Sequence, residues 1–156
     1  MLSIDIPGRG KLELKHLVCD YNGTLAFDGT LLEGVQEKLQ ALSSKVSIHV
    51  LTGDTFGTAQ EQLSPLDINL MILPVKDQGI AKEDYLRTLG AAGVVAIGNG
   101  SNDRHMLNSA ALGIAVMGGE GVAMNTLTRA DLVVQSVQLA LDLLLEPRRL
   151  IASLRT

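Results

Sequence analysis

Apolar and polar residues alternate in blocks along the chain, and the two kinds of block have different periodicities. Short, nearly continuous apolar runs indicate buried strands. After an N-terminal segment, these runs predict strands at Leu17–Asp20, Val46–Leu51, Ile68–Leu73, Val94–Gly98, Gly113–Val116 and Leu132–Val134. Segments with helical spacing lie between and after the strands, at Glu33–Leu42, Thr55–Leu63, Gln78–Leu89, Asn102–Ala110, Gly121–Leu127 and Val137–Leu145, with a last helix from Pro147.

The N-terminal segment predicts a β-hairpin. Two short strand patterns, Leu2–Ile6 and Leu12–Leu17, flank the turn-rich stretch Pro7-Gly8-Arg9-Gly10. The hairpin either extends the main sheet or serves as a lid over the site of a neighbouring subunit. The first of these two placements is the one we expect.

Strands that alternate with helices of about ten residues form βαβ units. The sequence therefore predicts an α/β fold: a mostly parallel, three-layer, Rossmann-like sheet with helices on both faces. At 156 residues the chain has room for one core, so residues 1–156 form a single domain. In such sheets ligands bind beyond the carboxyl ends of the strands.

Composition and charge exclude several classes of function. Two Tyr, two Phe and no Trp leave no aromatic platform for single-stranded nucleic acid, and the net charge of −4 argues against nucleic-acid binding in general. No apolar stretch approaches the roughly 20 residues of a membrane span. Because the N-terminus lacks a signal-peptide pattern and Cys19 is the single cysteine, we expect a cytoplasmic protein without a disulfide. Cys19 itself is expected in the core.

Residues with phosphate and metal chemistry follow the predicted strands. They are Asp20-Tyr21-Asn22-Gly23-Thr24-Leu25, Leu51-Thr52-Gly53-Asp54, Lys82 and Gly98-Asn99-Gly100-Ser101-Asn102-Asp103. A carboxylate can attack phosphorus and form an acyl phosphate, and two carboxylates at a sheet edge can hold Mg²⁺. A hydroxyl and an ammonium bind phosphoryl oxygens. His16, His49 and His105 are not spaced as a metal cluster, so surface or hydrogen-bonded core roles are expected for them.

These four motifs, in this order, resemble those of the haloacid dehalogenase-like superfamily. The resemblance continues through Ala130-Asp131 and the Pro-Arg-Arg-Leu tail, over nearly the whole chain. The branch that it resembles most is the group of small, capless proteins similar to the phosphorylation domain of P-type ATPases. The resemblance implies that Asp20 is the nucleophile, that Thr52 binds phosphoryl oxygens and that Lys82 stabilises both. Lys76 is a rival for the lysine role.

The same resemblance implies a Mg²⁺ site and a phosphate pocket. Asp103 would hold the ion with Asp20 and the backbone carbonyl of Asn22, and Asn99 lies at a further metal position. The implied phosphate-binding residues are Asp20, Gly23, Thr52, Gly53, Lys82 and Asn102. For Asn102, a supporting role in the site and a simple helix cap are equally expected.

Two amides depart from the pattern of the superfamily's phosphatases. Asn22 stands where the general acid and base is usual, and an amide cannot protonate a leaving group. General acid–base catalysis contributes about 10²–10⁴ in rate, so its loss raises the barrier by roughly 3–5 kcal/mol. Asn99 stands where Asp is more common, which removes one negative charge from the metal site and predicts weaker binding.

The segments between the motifs are too short to hold a cap domain. The substrate is therefore large, or a neighbouring subunit covers the site in a homo-oligomer. The leading hypothesis is a Mg²⁺-dependent phosphohydrolase or phosphotransferase that works through an aspartyl-phosphate. The alternatives are a regulatory module that binds phosphate without turnover, and, less favoured, a unit that accepts phosphate from ATP.

Overall fold

The computed structural model describes residues 1–53 and 57–156. Asp54 and the first residues of the predicted helix Thr55–Leu63 lie outside this range. The strands are β1 (Leu2–Ile6), β2 (Gly10–Leu14), β3 (His16–Asp20), β4 (Ala26–Phe27), β5 (Thr30–Leu31), β6 (Ser47–Thr52), β7 (Asn69–Ile72), β8 (Val94–Gly98), β9 (Leu112–Val116) and β10 (Leu132–Val134). The helices are α1 (Val35–Ser43), α2 (Thr58–Leu63), α3 (Gln78–Thr88), α4 (Arg104–Ser109), α5 (Met124–Leu127), α6 (Val137–Leu145) and α7 (Pro147–Leu154).

A parallel sheet forms the centre of the described structure, with the strand order β10-β9-β8-β3-β6-β7. β8 and β9 are buried along their whole length, which explains their uninterrupted apolar sequences. Because β3 lies between β8 and β6, the residues that follow these three strands meet at one edge. The predicted α/β, Rossmann-like architecture with an N-terminal hairpin is confirmed.

Aliphatic side chains fill the core on both faces of this sheet. Leu17 and Cys19 of β3 point into one layer, and Val18 of the same strand points into the other. The second layer includes Leu86 of α3 and Met106 of α4. Burying one such aliphatic side chain stabilises the fold by about 1.5–3 kcal/mol, so the core needs few aromatic residues. The expected core position of Cys19 is also observed.

The N-terminal hairpin does not extend the central sheet, contrary to our expectation. β1 and β2 pair with each other as a separate antiparallel sheet. Both edges of β3 are already occupied by β6 and β8, so the hairpin has no free edge to join there. Instead, Leu2, Ile4 and Ile6 are buried in the core. Lys15 N–H donates to the Gly93 carbonyl just before β8, which places the hairpin near the amino ends of the strands.

A second small hairpin, β4–β5, was not predicted. It turns at Asp28 and Gly29, which both have positive φ angles, 48° and 80°. Asp-Gly is a strong signal for such a turn, but strands of two residues are too short to show any periodicity. The Tyr21 hydroxyl donates to the Gly29 carbonyl at 2.9 Å and ties this hairpin to the end of β3.

Two histidines and a tyrosine form a hydrogen-bonded row beneath α3. His16 Nδ1 lies 3.1 Å from His49 Nε2, and His49 Nδ1 lies 2.8 Å from the Tyr85 hydroxyl. His49 is buried and His16 is half-buried. Burial, aided by the neighbouring His16, lowers the pKa of His49 to about 4. The row matches the hydrogen-bonded core role expected for these two residues.

None of the described helices is both long enough and apolar enough to cross a bilayer.

Candidate active site

Four elements bring polar side chains to the carboxyl edge of the sheet. Asp20 ends β3, Thr52 ends β6, and Asn99 directly follows β8. Lys82 lies in the second turn of α3, on the same buried face as Leu86 four residues later. These polar side chains are almost completely buried, which is unusual for charged residues unless they are paired.

Lys82 connects the first and last motifs. Its Nζ lies 2.6 Å from Asp20 Oδ1 and 2.6 Å from Asp103 Oδ1. Lys82 is 1% exposed and Asp103 is fully buried, so little water shields this cluster. When both acids are ionised, one ammonium between two carboxylates leaves one net negative charge in the site. Lys76, the rival lysine, is exposed and precedes α3.

Burial and the shared charge shift the pKa values of this cluster. Burial is the larger cause that raises the pKa of Asp20 above its ordinary value, and the charge of Asp103 adds to it. Lys82 and Thr24 act in the opposite direction without cancelling the rise. For Lys82, burial favours the neutral amine, but the two carboxylates outweigh it and raise the pKa. The lysine is therefore a cation at neutral pH.

Asp103 has both carboxylate oxygens bound within the protein. Oδ1 accepts from Lys82, and Oδ2 accepts from the backbone N–H groups of Asn99 at 2.9 Å and Gly100 at 3.0 Å. A Cβ on Gly98 would lie 2.5 Å from Asp103 Cγ, so only glycine leaves room for this carboxylate. Because Oδ1 accepts from Lys82 alone, one of its lone pairs remains for the predicted metal ligation by Asp103, although the charge of this carboxylate is offset by Lys82.

Thr24 is a site residue that the sequence reasoning did not select. Its Oγ1 lies 3.2 Å from Asp20 Oδ2 and 3.2 Å from Asn99 Oδ1. A tight turn places it there, because the N–H groups of Thr24 and Ala26 both donate to the Tyr21 carbonyl. A hydroxyl has one proton and cannot donate fully to two oxygens at once.

The shared hydroxyl bears on whether a metal fits this site. Asp20 Oδ2 and Asn99 Oδ1 both lie within hydrogen-bonding distance of this hydroxyl, and the oxygen that does not accept its proton keeps its lone pairs free. A carboxylate oxygen and an amide oxygen are the hard donors that Mg²⁺ prefers. The donor types therefore suit a hard divalent cation, while among residues 1–53 and 57–156 there is no group of three or more His, Cys, Asp or Glu side chains that could hold one without help from amide or backbone oxygens.

Asn22 and Gly23 shape the loop after β3. Asn22 is exposed, and its Oδ1 accepts from Gly29 N–H at 2.9 Å, which braces the β4–β5 hairpin. Gly23 has a φ of +81°, a conformation that favours glycine. Its N–H donates to the Ala26 carbonyl at 2.7 Å, so this N–H closes the turn and is not available to a phosphate in this conformation.

The predicted phosphate residues Gly53 and Asn102 lie on either side of Gln78, the first residue of α3. A Cβ on Gly53 would collide with the Gln78 amide nitrogen, so the two residues are in direct contact. Asn102 Nδ2 donates to Gln78 Oε1 at 3.2 Å. Gln78 was missed because no sequence signal distinguishes it from other helix-start residues. Thr52, just before Gly53, is 3% exposed.

Comparison with curated sequences gives short but clear similarities. No protein-family model matches the chain. An uncharacterised protein of Methanocaldococcus jannaschii is 48% identical over 62 residues, which are 40% of this chain and 67% of that protein. A probable copper-exporting P-type ATPase of Archaeoglobus fulgidus is 34% identical over 126 residues. That match spans 76% of this chain but 15% of the ATPase.

Solved structures of phosphatases have the same fold. The magnesium- and phosphate-containing 3-deoxy-D-manno-octulosonate 8-phosphate phosphatase of Moraxella catarrhalis has a TM-score of 0.69 at 22% identity, over 92% of this chain and 94% of that one. The cobalt-bound enzyme of Haemophilus influenzae has a TM-score of 0.70 at 15% identity, over 86% and 88%. An apo phosphoserine phosphatase has a TM-score of 0.65 at 16% identity, over 84% and 98%. The chain therefore has the fold of these phosphatases, in agreement with the resemblance of its four motifs to the haloacid dehalogenase-like superfamily.

Proposed function

We propose that the chain is a Mg²⁺-dependent phosphohydrolase or phosphotransferase that acts through an aspartyl-phosphate on Asp20. The observation that carries the proposal is the buried cluster in which Lys82 pairs with both Asp20 and Asp103. Such a cluster is costly to bury and contributes little to stability by itself, so a chemical role accounts for it better.

In the first step a carboxylate oxygen of Asp20 attacks phosphorus, and the bond from phosphorus to the leaving oxygen breaks. Lys82, 2.6 Å from Asp20 Oδ1, orients the nucleophile and offsets the charge that builds up on the phosphoryl oxygens. Thr52 hydrogen-bonds those oxygens at the end of β6. Asp20, Asn99 and the carbonyl of Asn22 would hold the metal, which neutralises phosphate charge when bound.

In the second step a water oxygen attacks the acyl phosphate and releases inorganic phosphate and the Asp20 carboxylate. An acid at position 22 would assist both steps, and Asn22 cannot. We therefore expect fast phosphorylation only from good leaving groups, such as aryl phosphates, acyl phosphates or nucleotides, and a long-lived phosphoenzyme. In a phosphotransferase, an acceptor hydroxyl takes the place of water.

We place the protein in the cytoplasm, where it meets a phosphorylated substrate. Between β3 and α1 the described chain forms only the β4–β5 hairpin, so no cap domain covers Asp20 from that side. The open face suits a large substrate or cover by a neighbouring subunit in a homo-oligomer.

The test compares the wild-type chain with Asp20→Asn, using an activated aryl phosphate and Mg²⁺. We expect turnover and an acid-stable phosphoprotein with the wild type, and neither with Asp20→Asn. Equal turnover by the two proteins would remove the covalent mechanism.

A second candidate is a phosphate-binding regulatory module without useful turnover. Asn22 and Asn99, amides at two positions where acids are usual, favour it. Phosphate binding by the wild type without any phosphoenzyme or product would support this alternative over the enzyme.

A further inference from the structure

The candidate metal site is short of negative charge. Of the side-chain oxygens that face Thr24, Asp20 Oδ2 is charged and Asn99 Oδ1 is neutral. The charge of the second carboxylate in the cluster, Asp103, is offset by Lys82 and shared with two backbone N–H groups. Mg²⁺ is commonly bound through one or two carboxylates, so a second acid close by would strengthen this site.

The loop between β9 and α5, residues 117–123, is bonded to Asn99 from two sides. Asn99 Nδ2 donates to the Gly121 carbonyl at 3.1 Å. Ala123 N–H donates to the Asn99 carbonyl at 2.9 Å. The loop also touches the loop after β3, because a Cβ on Gly118 would lie 3.1 Å from the Gly23 carbonyl oxygen. Its position relative to the site is therefore fixed by several contacts.

Glu120, an exposed residue of this loop, places its carboxylate against Gly23, three residues after Asp20. A Cβ added to Gly23 would overlap Glu120 Oε2 and would lie 2.7 Å from Asn99 Nδ2. The Glu120 carboxylate thus occupies the space that a side chain at position 23 would fill, next to Asn99. Within residues 1–53 and 57–156, none of the ion pairs includes Glu120.

We propose that Glu120 supplies the second negative charge of the metal site, in place of the acid that Asn99 lacks. This inference rests on the proposed function, because it assigns a residue to the same metal. Glu120 acts on the cation through a bound water, since it lies on the Nδ2 side of Asn99, and the small Gly23 leaves room for that water. An acid carried by the β9–α5 loop thereby compensates for an amide in the fourth motif.

The experiment measures Mn²⁺ binding to the full chain without substrate, by the loss of the free-ion electron paramagnetic resonance signal. We expect Glu120→Gln to raise the Kd about tenfold, the size of effect known for residues that support metal ligands. Glu37→Gln on α1 is the matched control, since Glu37 is an exposed acid that belongs to none of the ion pairs within residues 1–53 and 57–156. It should leave the Kd unchanged.

A double-variant comparison separates a charge effect from a loss of structure. In an Asn99→Asp background, which restores the acid near the ion, Glu120→Gln should raise the Kd much less than in the wild type. Glu120→Asp, which keeps the charge, should retain most of the affinity. An unchanged Kd for Glu120→Gln overturns the inference, as does an equal loss in both backgrounds.

Asp20→Asn shows whether the inference or the proposed function has failed. If Asp20→Asn abolishes Mn²⁺ binding while Glu120→Gln has no effect, the inference on Glu120 fails and the proposed metal site stands. If the wild type shows no binding that depends on Asp20, the metal site of the proposed function fails, and the role of Glu120 is overturned with it.

Discussion

The ammonium of Lys82 lies 2.6 Å from a carboxylate oxygen of Asp20, although the two residues are 62 positions apart in the sequence. The same ammonium lies 2.6 Å from Asp103, which makes Lys82 the counter-ion of two buried acids. The stability of the domain and the reactivity of Asp20 therefore depend on the same cation, and both can be tested through it.

Replacing Lys82 by Met should strongly destabilise the protein. The change leaves two buried carboxylates without a cation, which costs about 3–5 kcal/mol. For a domain of this size the Tm falls by roughly 6 to 20 °C. Lys76→Met is the control, because Lys76 is exposed and its removal should change the Tm little. Equal Tm values for the two variants at pH 7.5 would show that the ion pairs are not formed.

Replacing Asp20 by Asn should stabilise the metal-free protein at pH 8. Burial, with the Asp103 charge, raises the pKa of Asp20 to about 7, above the value of 3.8 for an unperturbed aspartate. The folded state therefore holds the proton more tightly, and ionisation of Asp20 costs stability as the pH rises through about 7. We expect the Tm of Asp20→Asn to exceed that of the wild type by roughly 5 °C at pH 8.

The difference between these two proteins should shrink between pH 7 and pH 4, where Asp20 of the wild type takes up its proton. Thermal unfolding at several pH values in the presence of a chelator measures this trend. A wild-type protein that is more stable than the variant at pH 8 would show that the Lys82 pair outweighs the burial of the charge.

Replacing Gly98 by Ala should disturb the fourth motif. The added methyl group would lie 2.5 Å from Asp103 Cγ, so the carboxylate would have to leave its backbone N–H partners. We expect a loss of about 1–3 kcal/mol in the free energy of unfolding, together with weaker metal binding. Gly93→Ala is the control. Its methyl group would lie 3.7 Å from the nearest atom, which is an ordinary van der Waals contact, so this variant should behave like the wild type.

Replacing Asn22 by Asp should increase the hydrolysis of alkyl phosphate monoesters. The oxygen that accepts from Gly29 N–H is present in both side chains, so the loop should keep its shape. A carboxyl group at this position can serve as general acid and base, which contributes about 10²–10⁴ in rate. Steady-state kinetics should show a higher kcat, and Asn22→Ala should not. A kcat that stays at the wild-type value would mean that another step limits turnover.

Acid should weaken the row of His16, His49 and Tyr85. Burial lowers the pKa of His49 to about 4, while an unfolded histidine titrates near 6.5. The unfolded state therefore binds the proton first, and stability present above pH 6.5 is lost as the pH falls towards 4. Between pH 7.5 and pH 5 this amounts to about 1–2 kcal/mol, because water near the ring screens part of the effect.

Because Asp20 titrates in the same range with the opposite sign, the contribution of His49 is measured by comparison with His49→Gln. The variant should show a flatter dependence of Tm on pH below 6.5 than the wild type. Parallel pH profiles for the two proteins would show that His49 is not held in its neutral form by the fold.

Elements with a clear pattern of buried apolar residues could be predicted from the sequence. The strand Val94–Gly98 was predicted with the bounds that the structure gives, because both its faces are buried and its apolar run is continuous. The position of the N-terminal hairpin was predicted wrongly, since alternation identifies a buried face but not the layer against which it packs.

The contacts within the site were less accessible to sequence reasoning. The Thr24 hydroxyl reaches Asn99, 75 positions away, because a tight turn and a glycine with positive φ bring it back to Asp20. Gln78 lies near the site because a helix begins there, and Glu120 lies near it because of a loop. The conformations of both segments depend on the rest of the fold. Residue types at strand ends indicate the chemistry, whereas the partners of each residue depend on loop geometry.

The central position of Cys19 gives the protein an internal reporter of opening. Its thiol lies in the middle of the sheet, and burial raises its pKa far above the usual range, so it stays protonated and out of reach of reagents. A thiol-modifying dye can label the chain only after the layer of side chains that covers this face of β3 has opened. The rate of labelling therefore measures how often the core beside the strand that bears Asp20 opens, and ligands that stabilise the folded state should slow it.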